Sequence, residues 1–175
     1  MNHHDMTRNM VLAALFAALT AIGAFLQIPT GTVPITLQFL FTALAGLLLG
    51  WKWGAVSQLL YVGIGLLGLP VFTQGGGIGY VLQPSFGFLL GLIPAAAVIG
   101  ALTARRTGYL TVLAAVLVGD LILYAVGVPY MYLILHVYMQ SAKTFPALLA
   151  AMLVYVPGDT LKIVVVTALV PVLRR

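Results

Sequence analysis

The sequence contains no cysteine, so neither a disulfide nor a thiolate-held metal can take part in its structure or chemistry. Charge is nearly as scarce: 6% of the 175 residues are charged and 62% are hydrophobic, whereas an ordinary soluble domain carries about a quarter charged residues. That imbalance excludes a soluble globular protein and points to an integral membrane protein. No Gly-Lys dipeptide occurs, Lys52 being preceded by Trp51, which excludes the phosphate-binding loop of P-loop ATPases. Gly-x-Ser-x-Gly and His-Glu-x-x-His are missing too, and with them the signatures of the commoner intramembrane hydrolases. Gly75, Gly76, Gly77 and Gly79 are not followed by an acidic residue about 20 positions on, as a dinucleotide fingerprint requires. They read instead as backbone freedom, or as a place where the main chain approaches a ligand closely.

What is present is a series of apolar runs, to be compared with the roughly 20 residues that a span needs. Taking Gly/Pro-rich stretches as breaks gives six segments, over 10–26, 38–50, 54–69, 86–103, 110–128 and 157–173, with room for an extra short helix over 145–155. They leave no space for a soluble domain, so the chain reads as a single membrane domain over 1–175, of which 1–9 form a short tail. The second and third segments are short for upright spans and are expected to be extended by their flanks or buried against neighbours. The first run, with Arg8 ahead of it and the small residues Gly23 and Ala24 near its end, superficially resembles a secretory signal. It is continuous from Met10 to Ile28, long enough to be a retained span.

The formal net charge of +5 comes mostly from basic residues set singly or in pairs at the ends of apolar runs. No basic stripe, aromatic interleaving or nucleic-acid motif accompanies them, so nucleic acid is not a partner. Arg8, Lys52, Arg105 with Arg106, and Arg174 with Arg175 fall at alternate ends of the segments, which places them, and both termini, on the cytoplasmic side. The three connections on the other side, 27–37, 70–85 and the stretch from Pro129 to the last segment, contain Lys143 as their one basic residue. They are rich in Gly, Pro, Thr, Gln and Tyr, a composition that suits a lid or pocket wall.

Asp120, Asp159 and Lys162 fall inside apolar segments, where a charge costs about 2.5 to 3.5 kcal/mol on insertion scales. Asp159 and Lys162 are three apart and so share one helical face. Pro157 suits the first helical position, and an acid in the first turn is favoured by the helix dipole. The pair either neutralises itself between helices, with Asp120 as a third member, or presents an acceptor and a donor at the end of an apolar cavity. The guest of such a cavity is a small, largely apolar molecule with a compact polar head. Helix one carries Ala13, Ala17 and Ala21 at spacing four, with Ala14 and Ala18 in a second row beside them. Such rows allow close helix packing in membranes, within the chain or against a partner.

Taken together, "LAALFAALTA" in helix one, "VPITLQ" ending at Gln38 with "LAGLLLG" after it, "GLPVF" before the glycines and "VPGDTLK" in the last segment resemble the BioY family. These are the biotin-specific substrate-binding (S) components of energy-coupling-factor (ECF) transporters. The motifs span about residues 10 to 165 in the family's order, and the Pro-Gly-Asp-x-x-Lys element is the most specific. The resemblance implies an all-α membrane protein, a six-transmembrane-helix bundle of the S-component type, in the cell membrane. It is no enzyme and uses no cofactor. It takes biotin as ligand and docks through the alanine row Ala13, Ala17 and Ala21 on an EcfT-type transmembrane coupling protein served by two ATPases. Carried over, the motif puts the polar contacts at Asp159 and Lys162. Tyr80, Phe86, Phe88 and Tyr155 are candidates for the apolar wall, and Gln38, Gln74, Gly76, Tyr80 and Gln83 for further contacts. Where the family reads like Gly-Pro-Thr-Gly-Gly-Tyr, this chain has "QPSFGF", differing at Gln83, Ser85, Phe86 and Phe88. Members often carry a basic residue in the glycine loop, and "FTQGGGIGY" has none.

Three other readings are compatible with parts of the sequence. An S component for another vitamin, such as thiamine, shares the architecture. A nickel or cobalt uptake protein could use Met1, Asn2, His3 and His4, an amine-amide-imidazole run suited to square-planar metals. An intramembrane enzyme could pair Asp120 with Asp159, although no accompanying motif supports it.

Overall fold

The structure is a computed structural model that describes residues 3–30, 33–105 and 108–173. Met1 and Asn2 of the metal-binding reading, and Arg106, Arg174 and Arg175 of the topology reading, lie outside the described residues. The chain is mostly helical: α1 (His3–Phe25), α2 (Gln38–Leu66), α3 (Phe86–Leu102), α4 (Tyr109–Leu133), α5 (Phe145–Ala151) and α6 (Val156–Leu173). The helix of α1 begins at His3, so part of the expected tail is already helical. Four helical stretches, His4–Phe25, Gln38–Leu66, Tyr109–Tyr138 and Phe145–Leu169, are long and apolar enough to cross a membrane, and Phe86–Leu102 is a shorter apolar helix.

The 29 residues of α2 are not one straight rod. Gly50 sits at φ 77°, ψ 179°, outside helical space, in a region where only glycine is unstrained. A straight helix would hold Thr42 and Gln58 about 24 Å apart, yet the Thr42 hydroxyl donates to Gln58 Oε1 at 2.9 Å. Gln38 Nε2 likewise donates to the Tyr61 hydroxyl at 2.8 Å. The chain therefore reverses at Gly50, and α2 is a hairpin of two limbs that match the expected second and third segments. The limbs meet so closely that a Cβ on Gly54 would lie 2.8 Å from Gly46 Cα. With Thr20 of α1, buried Gln58 and Thr42 form a polar seam that ties the hairpin to α1. In an apolar surround, satisfied bonds of this kind fix one packing arrangement.

α2 packs on both α1 and α3, and α3 packs on α4; α6 leans on α4 and α2. Phe39, Tyr61, Phe72, Leu92, Ile99 and Val116 lie in the main core. Outward positions such as Leu121 and Leu161 remain exposed, as lipid-facing residues do.

Two expectations need correction. The fifth segment does not stop before Pro129: α4 runs through it and continues as a π-helix over Ile134–Tyr138, because neighbouring helices can satisfy backbone groups that a proline frees within a membrane. The connection that leads to α5 thus starts near Met139. The connection over 27–37 is also more than a loop, since β1 (Gln27–Ile28) and β2 (Ile35–Thr36) pair antiparallel, Gln27 opposite Thr36. A 3₁₀ turn over Met152–Tyr155 joins α5 to α6.

Candidate functional site

The last helix opens "VPGD", and Asp159 falls in its first turn. One turn on, Lys162 Nζ lies 2.5 Å from Asp159 Oδ1, and both residues are buried. The sequence dictates this contact, since residues i and i+3 are neighbours on a helix surface. Each charge has a second partner from another element. The Tyr124 hydroxyl of α4 donates to Asp159 Oδ2, and Lys162 Nζ donates to the Thr36 carbonyl of β2 at 3.3 Å.

The pair does not close on itself between packed helices. It lines a cavity with about 610 Å³ of space free of protein atoms, part of it open to solvent. Tyr155, Phe88, Leu89, Leu92, Leu123 and Met152 supply much of its apolar wall. Tyr155 is anchored there because its hydroxyl donates to the Val33 carbonyl, and Phe88 and Tyr124 meet edge to face with ring centroids 6.0 Å apart.

An ionised carboxylate accepts at both oxygens, and an ammonium has three donors. After the contacts above, Asp159 retains lone pairs and Lys162 retains at least one N–H. Side by side at one wall of an apolar chamber, they match a neutral group that carries N–H and C=O together, such as an amide or urea. The apolar part of the wall accepts hydrocarbon.

Of the residues expected at the site, Asp159, Lys162, Gln38, Tyr80, Phe88 and Tyr155 line this cavity. Four others do not. Gln74 borders a separate shallow recess with Gln27 and Thr30. Gly76 packs on its own chain, where a Cβ would lie 2.0 Å from the Leu69 carbonyl oxygen; its close approach is to backbone, not to a ligand. Phe86 is buried between the rings of Tyr80 and Tyr130, at centroid distances of 6.4 and 5.8 Å. Gln83 caps the 3₁₀ turn over Ile78–Leu82, its backbone N–H donating to the Tyr80 carbonyl at 2.9 Å. Sequence reasoning overlooked Tyr124, Thr36 and Thr73. Tyr124 lies one turn beyond Asp120 on α4, the spacing that could have signalled it. Asp120 itself is outside the cavity lining, and its buried Oδ1 makes no hydrogen bond. It is therefore not a hydrogen-bonded third member of the pair, nor does it share a cleft with Asp159 as an acid–base partner would.

The alanine rows are also sorted by the fold. Ala13 and Ala17 are covered by the rest of the chain, with Phe16, Thr20 and Ala24 on the same face, and Ala21 is half-buried. Ala13 is fully covered and so offers a partner no surface, whereas Ala17 and Ala21 reach the edge of an apolar groove. The second row, Ala14 and Ala18, is exposed and borders the same groove, with Ile22, Leu60 and Ile64.

A family model described as the BioY family matches residues 1–175. A probable biotin transporter BioY from Lysinibacillus sphaericus is 54% identical over 141 residues, 79% of this chain and 72% of that protein. A biotin transporter BioY from Rhodobacter capsulatus is 42% identical, with 91% of this chain and 90% of that protein covered. Among solved structures, the S-component for biotin from an ECF-type ABC transporter superposes with a TM-score of 0.87 at 29% identity, covering 99% of this chain and 94% of the other.

Proposed function

The chain belongs to the BioY family, and from that premise we propose that it is the membrane component that captures biotin for an ECF-type transporter and delivers it inward. The family is one of transporter components, not enzymes. The observation that carries the reading is the buried Asp159–Lys162 pair on the wall of a largely apolar chamber. Biotin is a cyclic urea fused to a thiophane ring that bears a hydrocarbon tail ending in a carboxylate. A urea N–H donates to Asp159, the urea oxygen accepts from Lys162, and the ring and tail lie against Phe88, Tyr155, Leu92 and Leu123.

In this reading the chain crosses the membrane six times, through α1, the two limbs of α2, α3, α4 and α6, with both termini in the cytoplasm and the Lys52 turn beside them. It works with an EcfT-type coupling protein and two ATPase subunits, since it has no nucleotide-binding loop of its own. The coupling protein docks on the exposed Ala14 and Ala18 row and its apolar groove.

Thermal melting of the detergent-purified chain against a vitamin panel tests the ligand. A specific ligand at a hundredfold excess over Kd stabilises by about 2.7 kcal/mol. Biotin is expected to raise the melting temperature and thiamine to leave it unchanged; a shift with thiamine alone would sink the reading.

A further inference from the structure

A biotin-binding chamber must hold two different ends, a neutral urea and an anionic carboxylate, and its lining contains one basic side chain, Lys162. That ammonium is already committed to Asp159 and the Thr36 carbonyl. The other polar hydrogens of the lining can be followed in turn. The Tyr124 hydroxyl is spent on Asp159, the Tyr155 hydroxyl on the Val33 carbonyl and the Thr36 hydroxyl on Gln38 Oε1.

Three hydroxyls remain, and they form a chain. Thr73 Oγ1 lies 2.9 Å from the Tyr80 hydroxyl, which lies 3.2 Å from Ser85 Oγ. All three residues line the chamber, and Tyr80 and Ser85 are buried. Three hydroxyls bring three hydrogens, and two bonds use two of them. Among the described residues no further bond is made by these side chains, so one hydroxyl hydrogen is unspent whichever way the chain runs. A second free donor is the other amide hydrogen of Gln38, whose first goes to Tyr61.

We propose that the Thr73–Tyr80–Ser85 hydroxyl chain is the carboxylate subsite of the chamber, taking an anion with neutral donors where a basic loop residue is absent. It deepens the biotin reading and rests on it. A hydroxyl bonded to a carboxylate makes a charge-assisted bond about twice as strong as a neutral one, and the relay of hydroxyls polarises along its length toward the anion. The subsite recognises a linear carboxylic acid by its charge but contributes little to a ligand whose acid is capped.

Detergent-purified full-length chain, titrated calorimetrically with biotin and with biotin methyl ester, tests the assignment. The double variant Thr73→Val, Ser85→Ala keeps side-chain shape and removes both outer hydroxyls. Biotin is expected to bind it about tenfold more weakly, while the methyl ester stays within about twofold of its wild-type affinity; the retained ester binding reports a folded chamber. Equal losses for acid and ester, or no loss for the acid, overturn the assignment alone. Wild-type protein that binds neither compound overturns the biotin reading and this subsite with it.

Discussion

At the scale of single residues, the site rests on two charges that a membrane interior does not tolerate unpaired. Removing one partner of a buried ion pair typically costs about 3–5 kcal/mol because it strands the other. Asp159 and Lys162 were legible in the sequence for that reason, as the acid and the base of an apolar run that a helix brings together. Tyr124 was not legible. α4 also carries Tyr130 and Tyr132, and a phenol in an aliphatic stretch does not announce which way it faces. In the fold it is the donor to Asp159 Oδ2. Tyr124→Phe leaves that oxygen without its protein donor, at a cost of about 1–3 kcal/mol. The expected result is a lower melting temperature with biotin binding weakened; an unchanged melting curve would show the bond to be dispensable. Gln74, Gly76 and Gln83 were misjudged for a related reason. Polar and glycine residues in an outer loop suit a ligand as well as they suit a loop that folds on itself, and at Gly76 the loop's own backbone fills the space.

At the scale of elements, composition and proline or glycine breaks placed most of the helices but missed how two of them continue. Gly50 was recognised as a break, and the fold makes it a reversal, with Gly46 and Gly54 at the crossing of the limbs. Gly54→Val drives a branched side chain into Gly46, and overpacking of this kind costs about 1–3 kcal/mol. The variant is expected to melt earlier or to be lost on detergent extraction, and wild-type melting behaviour would contradict the hairpin. Pro129 reads as a break in the sequence, whereas α4 passes through it. α1 shows a different limit. Rows 13/17 and 14/18 lie about 100° apart on a helix, both all-alanine, so only the packed neighbour decides which is covered. Replacing Ala14 and Ala18 by Leu is expected to spare biotin binding and to abolish uptake that depends on the coupling protein. Unimpaired uptake would move the docking face elsewhere.

At the scale of the whole molecule, the chain is a helical shell around one polar pair. The seam at Gln58 ties α2 to α1, the β1–β2 pairing closes the connection between them, and the contacts of Phe72 with Tyr61 and Tyr80 hold the glycine loop against α2. The chamber lies between those loops, α3, α4 and α6.

The central claim is that Asp159 accepts from the urea of biotin inside this chamber. Calorimetric titration of biotin into purified wild-type and Asp159→Asn protein tests it most directly, because the amide presents donors where acceptors are needed. The account predicts saturable binding to the wild type and binding weakened at least about tenfold in the variant; equal affinities in the two proteins would contradict it.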